Sequence, residues 1–212
     1  MEISLANRLK KKAHLEVAML QDEVVEVIYA SFGELEPVLH GGTAIWRCYN
    51  GNRFSEDLDF YAKTNGDFKD KWIAEMNKRS LTVLKFKQTE NTIFAKVSNG
   101  EAEVRLEMAK RKPGKEVIAA YEKANGAKMN IYTLTAEELI VEKMNAYKSR
   151  RLIRDIYDVY HLSNLVKGKS REMQEFLRDL PTPTDEENLK AIIYAGIVPT
   201  FKQMAETLQA RV

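Results

Sequence analysis

The chain has 212 residues, 44% hydrophobic and 30% charged, which is enough for a substantial core in one large domain or two small lobes. Its 33 Lys and Arg against 31 Asp and Glu leave a net charge of +2, so any polyanion site must be a local patch rather than a property of the whole surface. Cys48 is the single cysteine, which excludes an intrachain disulfide. The longest apolar stretch, residues 191–198, is too short to span a bilayer, and the start has charges without a following apolar segment. A cytoplasmic protein with no membrane partner is the expectation.

In chain order, residues 4–32 carry apolar side chains at helical spacing, among them Leu15, Ala18, Met19, Val25, Ile28 and Tyr29, and Gly33 is a helix stop. A short strand is expected over 35–39, with Pro37 marking an irregular start. Gly41-Gly42 then opens a helix over 43–49, which ends in the turn chemistry of Asn50-Gly51-Asn52. An acidic strand, Asp57-Leu58-Asp59-Phe60, follows. Residues 67–79 read as helix, and 82–86, 92–97 and 101–108 as strands separated by polar turns. The basic loop of residues 110–115, with its Pro113-Gly114 breaker, is the clearest boundary. Everything beyond it is expected to be helical: 116–124, 135–149, 151–165 and 170–180, then further helix after the Pro-Thr-Pro-Thr break. Thr135 and Glu138 fit a capping box. The predicted fold is α/β (α+β). A small mixed sheet flanked by helices forms a lobe over 1–112, including N-terminal helices at 1–33, and a helical lobe covers 113–212.

The chemistry concentrates in two constellations. In the first, strand alternation sends Asp57 and Asp59 to one face, while Leu58 and Phe60 point to the other. Two carboxylates on one face can share Mg²⁺, and Gly41-Gly42 lets backbone N–H groups approach a triphosphate with no Cβ in the way. A two-metal site needs a third acid. Glu107, on a predicted strand, is the first candidate, with Glu103 and then Glu101 behind it. The second constellation is Glu142-Lys143 running into Arg154-Asp155-Ile156-Tyr157-Asp158. Asp155 and Asp158 share a helical face there, and i, i+4 pairs Arg151–Asp155 and Arg154–Asp158 are expected. Such a cluster suits surface helix pairs and a triphosphate site equally. Lys85, Lys87, Lys96, Lys110, Arg111, Lys112 and Lys115 accumulate around the middle strands, where RNA could dock. His14, His40 and His161 are scattered and form no metal cluster, and Cys48 has no visible base.

Three blocks carry a resemblance: His40-Gly41-Gly42-Thr43-Ala44, Arg53-Phe54-Ser55-Glu56-Asp57-Leu58-Asp59-Phe60, and Glu142-Lys143 with Arg154-Asp155-Ile156-Tyr157-Asp158. Together, over residues 35 to 165, they resemble the AbiEii/AbiGii toxin family, a branch of the DNA polymerase β-like nucleotidyltransferases that includes the MenT toxins. The resemblance implies a nucleotidyltransferase core with the NTP in a cleft against a helical lobe. It implies that Gly41, Gly42, Thr43 and Ser55 contact the nucleotide, that Asp57 and Asp59 hold Mg²⁺ with Glu107 as the provisional third ligand, and that Lys143 engages phosphate. It further implies an essential acid at Asp155 or Asp158, with Asp155 preferred as catalytic and Asp158 beside the nucleotide. Family members act as toxins of abortive-infection or toxin–antitoxin pairs, commonly with a winged-helix antitoxin, and some transfer nucleotides to the 3′ end of tRNA. Transfer to a protein or small-molecule hydroxyl, phosphoryl transfer, and a non-catalytic nucleotide-binding regulator are the competing readings.

Overall fold

The helix expected near the N-terminus forms because Leu20, Val24, Val25 and Ile28 stack on one face and are fully buried. The computed structural model describes residues 3–63, 66–168 and 170–210. A short helix α1 (Leu5–Arg8) precedes the long α2 (Lys12–Ser31). Strand β1 (Val38–His40) runs directly into α3 (Gly41–Cys48), and β2 (Leu58–Ala62) carries the acidic motif. Helix α4 (Lys69–Asn77) packs against the meander β3 (Thr82–Gln88), β4 (Thr92–Ser98) and β5 (Glu103–Lys110). In β5 the side chains alternate strictly, with Val104, Leu106 and Met108 buried and Glu103, Arg105 and Glu107 exposed.

Two further strands lie where helix was expected. Within the stretch 116–124, expected as helix, lies β6 (Glu116–Glu122), which pairs antiparallel with β7 (Lys128–Leu134). The run Val117-Ile118-Ala119-Ala120-Tyr121 is too short for periodicity to separate helix from strand. Asn125-Gly126 in the turn is a hairpin dipeptide consistent with the strand pair, but it does not by itself exclude a helix over the run before it. β7 then pairs parallel with β1 at Leu39↔Thr133, and the Thr133 hydroxyl donates to the Leu39 carbonyl at 2.7 Å.

The described strands form one mixed sheet in the order β3-β4-β5-β2-β1-β7-β6, parallel at β2/β5 and β1/β7 and antiparallel elsewhere. The sheet therefore runs across the division expected at residue 112, and the all-helical part of the chain starts with α5 (Ala136–Arg150). The Thr135 hydroxyl caps the helix by accepting from the Glu138 N–H, but the Thr135 N–H donates to Lys115 O rather than to the Glu138 side chain, so only half of the expected capping box forms. Helices α6 (Ile153–Leu162) and α7 (Arg171–Arg178) follow, then the short α8 (Leu189–Ile192) and α9 (Phe201–Ala210). The C-terminal segment is not continuous helix. Between α8 and α9 the backbone extends and bridges Arg53 through Ile193, with the Phe54 N–H donating to Ile192 O and the Tyr194 N–H to Asn52 O.

Candidate active site

The loop joining α3 to β2 brings the site together, and it is pinned from four sides. Gln21 of α2 donates its side-chain amide to both the Ser55 and Glu56 carbonyls at 2.9 Å. His14 stacks on Phe54 with ring centroids 3.8 Å apart. The Tyr194 hydroxyl donates to Gly51 O and accepts from Trp46 Nε1. The Thr43 hydroxyl donates to Asp57 O at 2.6 Å. Thr43 is fully buried, so its side chain ties α3 to the acidic strand.

Both glycines of the pair are demanded by their own neighbours. Gly41 has φ +71°, and a Cβ there would lie 2.7 Å from Asp59 Oδ2. A Cβ on Gly42 would lie 2.5 Å from Arg53 Nη2 and 2.6 Å from Ser55 Oγ. The close backbone approach read from the sequence is thus made first toward Asp59, Arg53 and Ser55. The α3 N-terminus, with its positive dipole end, sits against Asp59.

Register places Asp59 between His40 of β1 and Glu107 of β5. Burial raises the Asp59 carboxyl above the usual aspartate range, opposed by His40 and Lys143 and reinforced by Asp57 and Glu107. A carboxylate crowded by two others is what a divalent cation neutralises, and the donors are the hard oxygens Mg²⁺ prefers. Asp57, however, is turned onto Arg105, whose Nε and Nη2 each lie 2.9 Å from a carboxylate oxygen. With Asp57 so engaged, no three Asp, Glu, His or Cys side chains among the described residues converge closely enough to hold a metal ion. The runner-up Glu103 pairs with Lys96.

The helical constellation forms a buried cluster rather than surface pairs. Asp155 and Asp158 are fully buried. Arg53 Nε and Nη2 each donate to Asp158 at 2.6 Å, and Lys143 Nζ stands 2.9 Å from Asp158 Oδ2 and 3.7 Å from Asp155 Oδ1. Asp155 is held by Arg150 through two 2.7 Å bonds. The expected partners Arg151 and Arg154 are therefore replaced. Arg151 is the left-handed residue ending α5, and Arg154 faces a cleft with Arg53, Ser55, Asp57 and Arg105. Burial would push the Asp158 carboxyl up, but Arg53 and Lys143 override it and hold it below its ordinary value.

Sequence reasoning gave no role to Arg53, Arg105, Arg150 or His40. His40 stacks on Tyr61 at 3.9 Å, and its Nδ1 lies 3.2 Å from Glu142 Oε2, while the Tyr61 hydroxyl donates to Glu142 and accepts from Arg111 at 2.6 Å. Burial works against the Glu142 carboxylate, yet the His40 and Tyr61 bonds keep its pKa below the usual value. These groups meet only through tertiary register. A lone hint in the sequence was the placement of Arg53 four residues before Asp57, inside the conspicuous block.

The model of the family described as nucleotidyl transferase AbiEii toxin, type IV TA system, matches residues 25–189. Among solved structures, JHP933 from Helicobacter pylori superposes with a TM-score of 0.58 at 19% identity, covering 92% of this chain and 89% of that one. A second Helicobacter pylori protein, described as a candidate nucleotidyltransferase, superposes with a TM-score of 0.60 at 17% identity, covering 92% of each chain. These likenesses establish the fold. The search of curated proteins gives no match.

Proposed function

The chain belongs to the AbiEii family of nucleotidyl transferase toxins, and from that premise we propose that it moves a nucleoside monophosphate from an NTP to the 3′ hydroxyl of an RNA such as tRNA. The observation that carries this reading is the meeting of Asp59, Asp57 and Glu107 on adjacent strands with a cleft that three arginines and Ser55 line. Carboxylates beside a cationic cleft suit a triphosphate whose α-phosphorus is attacked while its pyrophosphate end is held.

In this reading Asp57, Asp59 and Glu107 would hold Mg²⁺, which when bound supplies charge neutralisation for the triphosphate and the leaving pyrophosphate. Asp57 joins that set only by letting go of Arg105. The acceptor hydroxyl gives up its proton to solvent as its oxygen forms a bond to the α-phosphorus, the bond from that phosphorus to its bridging oxygen breaks, and pyrophosphate departs. Arg53 and Lys143, with the α3 N-terminus, receive phosphate charge. Asp155 and Asp158 act through those cations: each carboxylate already accepts a two-pronged arginine, so they position Arg53, Lys143 and Arg150 rather than ligate metal. The antitoxin partner rests on the family alone. No helix among the described residues is long and apolar enough to cross a membrane.

The test incubates the protein with Mg²⁺, total tRNA and each NTP labelled in turn at the α- or γ-phosphate, beside an Asp59→Asn control. Label from the α position on RNA, with pyrophosphate released and both lost in the control, is the expected result. Transfer of γ label would mean phosphoryl transfer instead. Pyrophosphate without labelled RNA would keep the chemistry and change the acceptor.

A further inference from the structure

The face of the sheet that carries Asp59 continues beyond it as two ordered rows of side chains. In strict register, His40 of β1, Asp59 of β2, Glu107 of β5, Phe94 of β4 and Lys87 of β3 lie side by side across five strands. One alternation along, Arg105 of β5, Lys96 of β4 and Lys85 of β3 make a second row, with Asp57 on Arg105. Phe94 is the hinge of this surface. It lines the hollow of Asp57, Asp59 and Glu107, and also an adjoining hollow of about 380 Å³ bounded by Lys85, Lys87, Thr89 and Thr92.

The chemistry changes along the rows. Acids end at Glu107, and beyond Phe94 the cations are Lys85 and Lys87, with the Lys85 ammonium 5.5 Å from the Phe94 ring centroid. The core does not call for an aromatic at this position: Ile93, Ala95 and Val97 supply the buried face of β4, and Phe94 points the other way. A half-exposed ring flanked by lysines is the combination that receives single-stranded nucleic acid, the base on the ring and the phosphates on the cations. Phe94 stands two strands from Asp59, about 10 Å at ordinary strand spacing, a gap that one nucleotide bridges.

We propose that Phe94, Lys85 and Lys87 form the acceptor shelf, on which the terminal base of a single-stranded RNA end stacks so that its 3′ hydroxyl reaches the Asp57–Asp59 acids. This rests on the transferase reading for what happens to that hydroxyl, but the shelf itself is a binding surface that can be tested without turnover. Stacking on a ring does not distinguish bases, so the shelf accepts the strand end with little sequence preference.

The experiment titrates a fluorescent single-stranded RNA oligonucleotide of mixed sequence with the full-length protein, without NTP, over a series of salt concentrations. Phe94→Ala is expected to weaken binding roughly tenfold and Phe94→Trp to restore it. The double variant Lys85→Gln/Lys87→Gln is expected to lower the slope of log affinity against log salt by about 1.4, two single-strand phosphate contacts. Thermal unfolding confirms that each variant is folded, and these positions are exposed or half-exposed. Unchanged affinity and slope in the variants overturn the shelf, and so does a wild-type protein that binds no RNA. In that last case α-label transferred to another acceptor would leave the transferase reading standing. Shelf-dependent RNA binding without any label transfer would do the opposite, keeping the shelf and removing the reaction.

Discussion

Asp57 and Asp158 are both held by arginine, yet their surroundings make the two pairs opposite in kind. The Arg105 and Asp57 side chains are 59% and 42% exposed, so water screens their attraction and the pair contributes at most about 1 kcal/mol. Asp158 is sealed from water, and its removal would strip the buried Arg53 of its two-pronged partner and leave Lys143 only the more distant Asp155. Asp158→Ala is therefore expected to cost about 3–5 kcal/mol of stability, whereas Arg105→Gln should change it by less than about 1 kcal/mol. Urea unfolding of both variants measures this, and equal losses would contradict the assignment of Asp158 to a buried positioning role. The weak Arg105 pair is the one that can open to release Asp57, which is the property a ligand-exchanging acid needs. Activity lost in an Asp158 variant consequently says little until its stability is known.

The acidic strand was legible because Asp57-Leu58-Asp59-Phe60 alternates with period two, and β5 because Glu103–Lys110 does the same. β6 was not, since its apolar run alternates poorly: Val117 and Ile118, neighbours on opposite faces of the strand, are both exposed. Its strand state is decided by pairing with β7 and, through it, with β1, which local pattern does not contain. The site was legible in the same uneven way. Acids and glycines stand in short motifs, while Arg53 finds Asp158 across 105 residues and Arg105 finds Asp57 across 48. The extended segment after α8 carries no motif, yet it fixes the loop that aims Arg53. Tyr194→Phe removes a hydroxyl that bonds both Trp46 Nε1 and Gly51 O, leaving two buried groups unsatisfied. A loss of about 1–3 kcal/mol is expected, with NTP affinity reduced because Arg53 is less firmly placed. Differential unfolding and NTP titration check both halves, and full NTP affinity in a destabilised Tyr194→Phe would detach the tail from the site.

The sheet and the helices meet through polar contacts at the site as well as through the core. Glu142 of α5 engages His40 and Tyr61 of β1 and β2, Asp158 of α6 engages Arg53, and Met204 and Leu208 of α9 are fully buried in the same apolar cluster as Leu39 and Phe60. The sheet also needs β7 beside β1, so cutting the chain after the basic loop would leave a raw edge in the middle of the sheet. Two bodies hinged at residue 112 would unfold separately, whereas this arrangement couples them. Tryptophan fluorescence reports the first part of the chain, because Trp46 and Trp72 lie in α3 and α4, whereas far-UV circular dichroism draws on the helices of both parts, α5 to α9 included. Coincident denaturant midpoints from the two probes are expected, and separated ones would sink the coupling. An NTP at a hundred times its dissociation constant adds about 2.7 kcal/mol to whatever unfolds with its site. In a coupled molecule that increment moves both probes together, so a ligand-induced shift seen in fluorescence alone would show that the helices are not part of the unit that binds it.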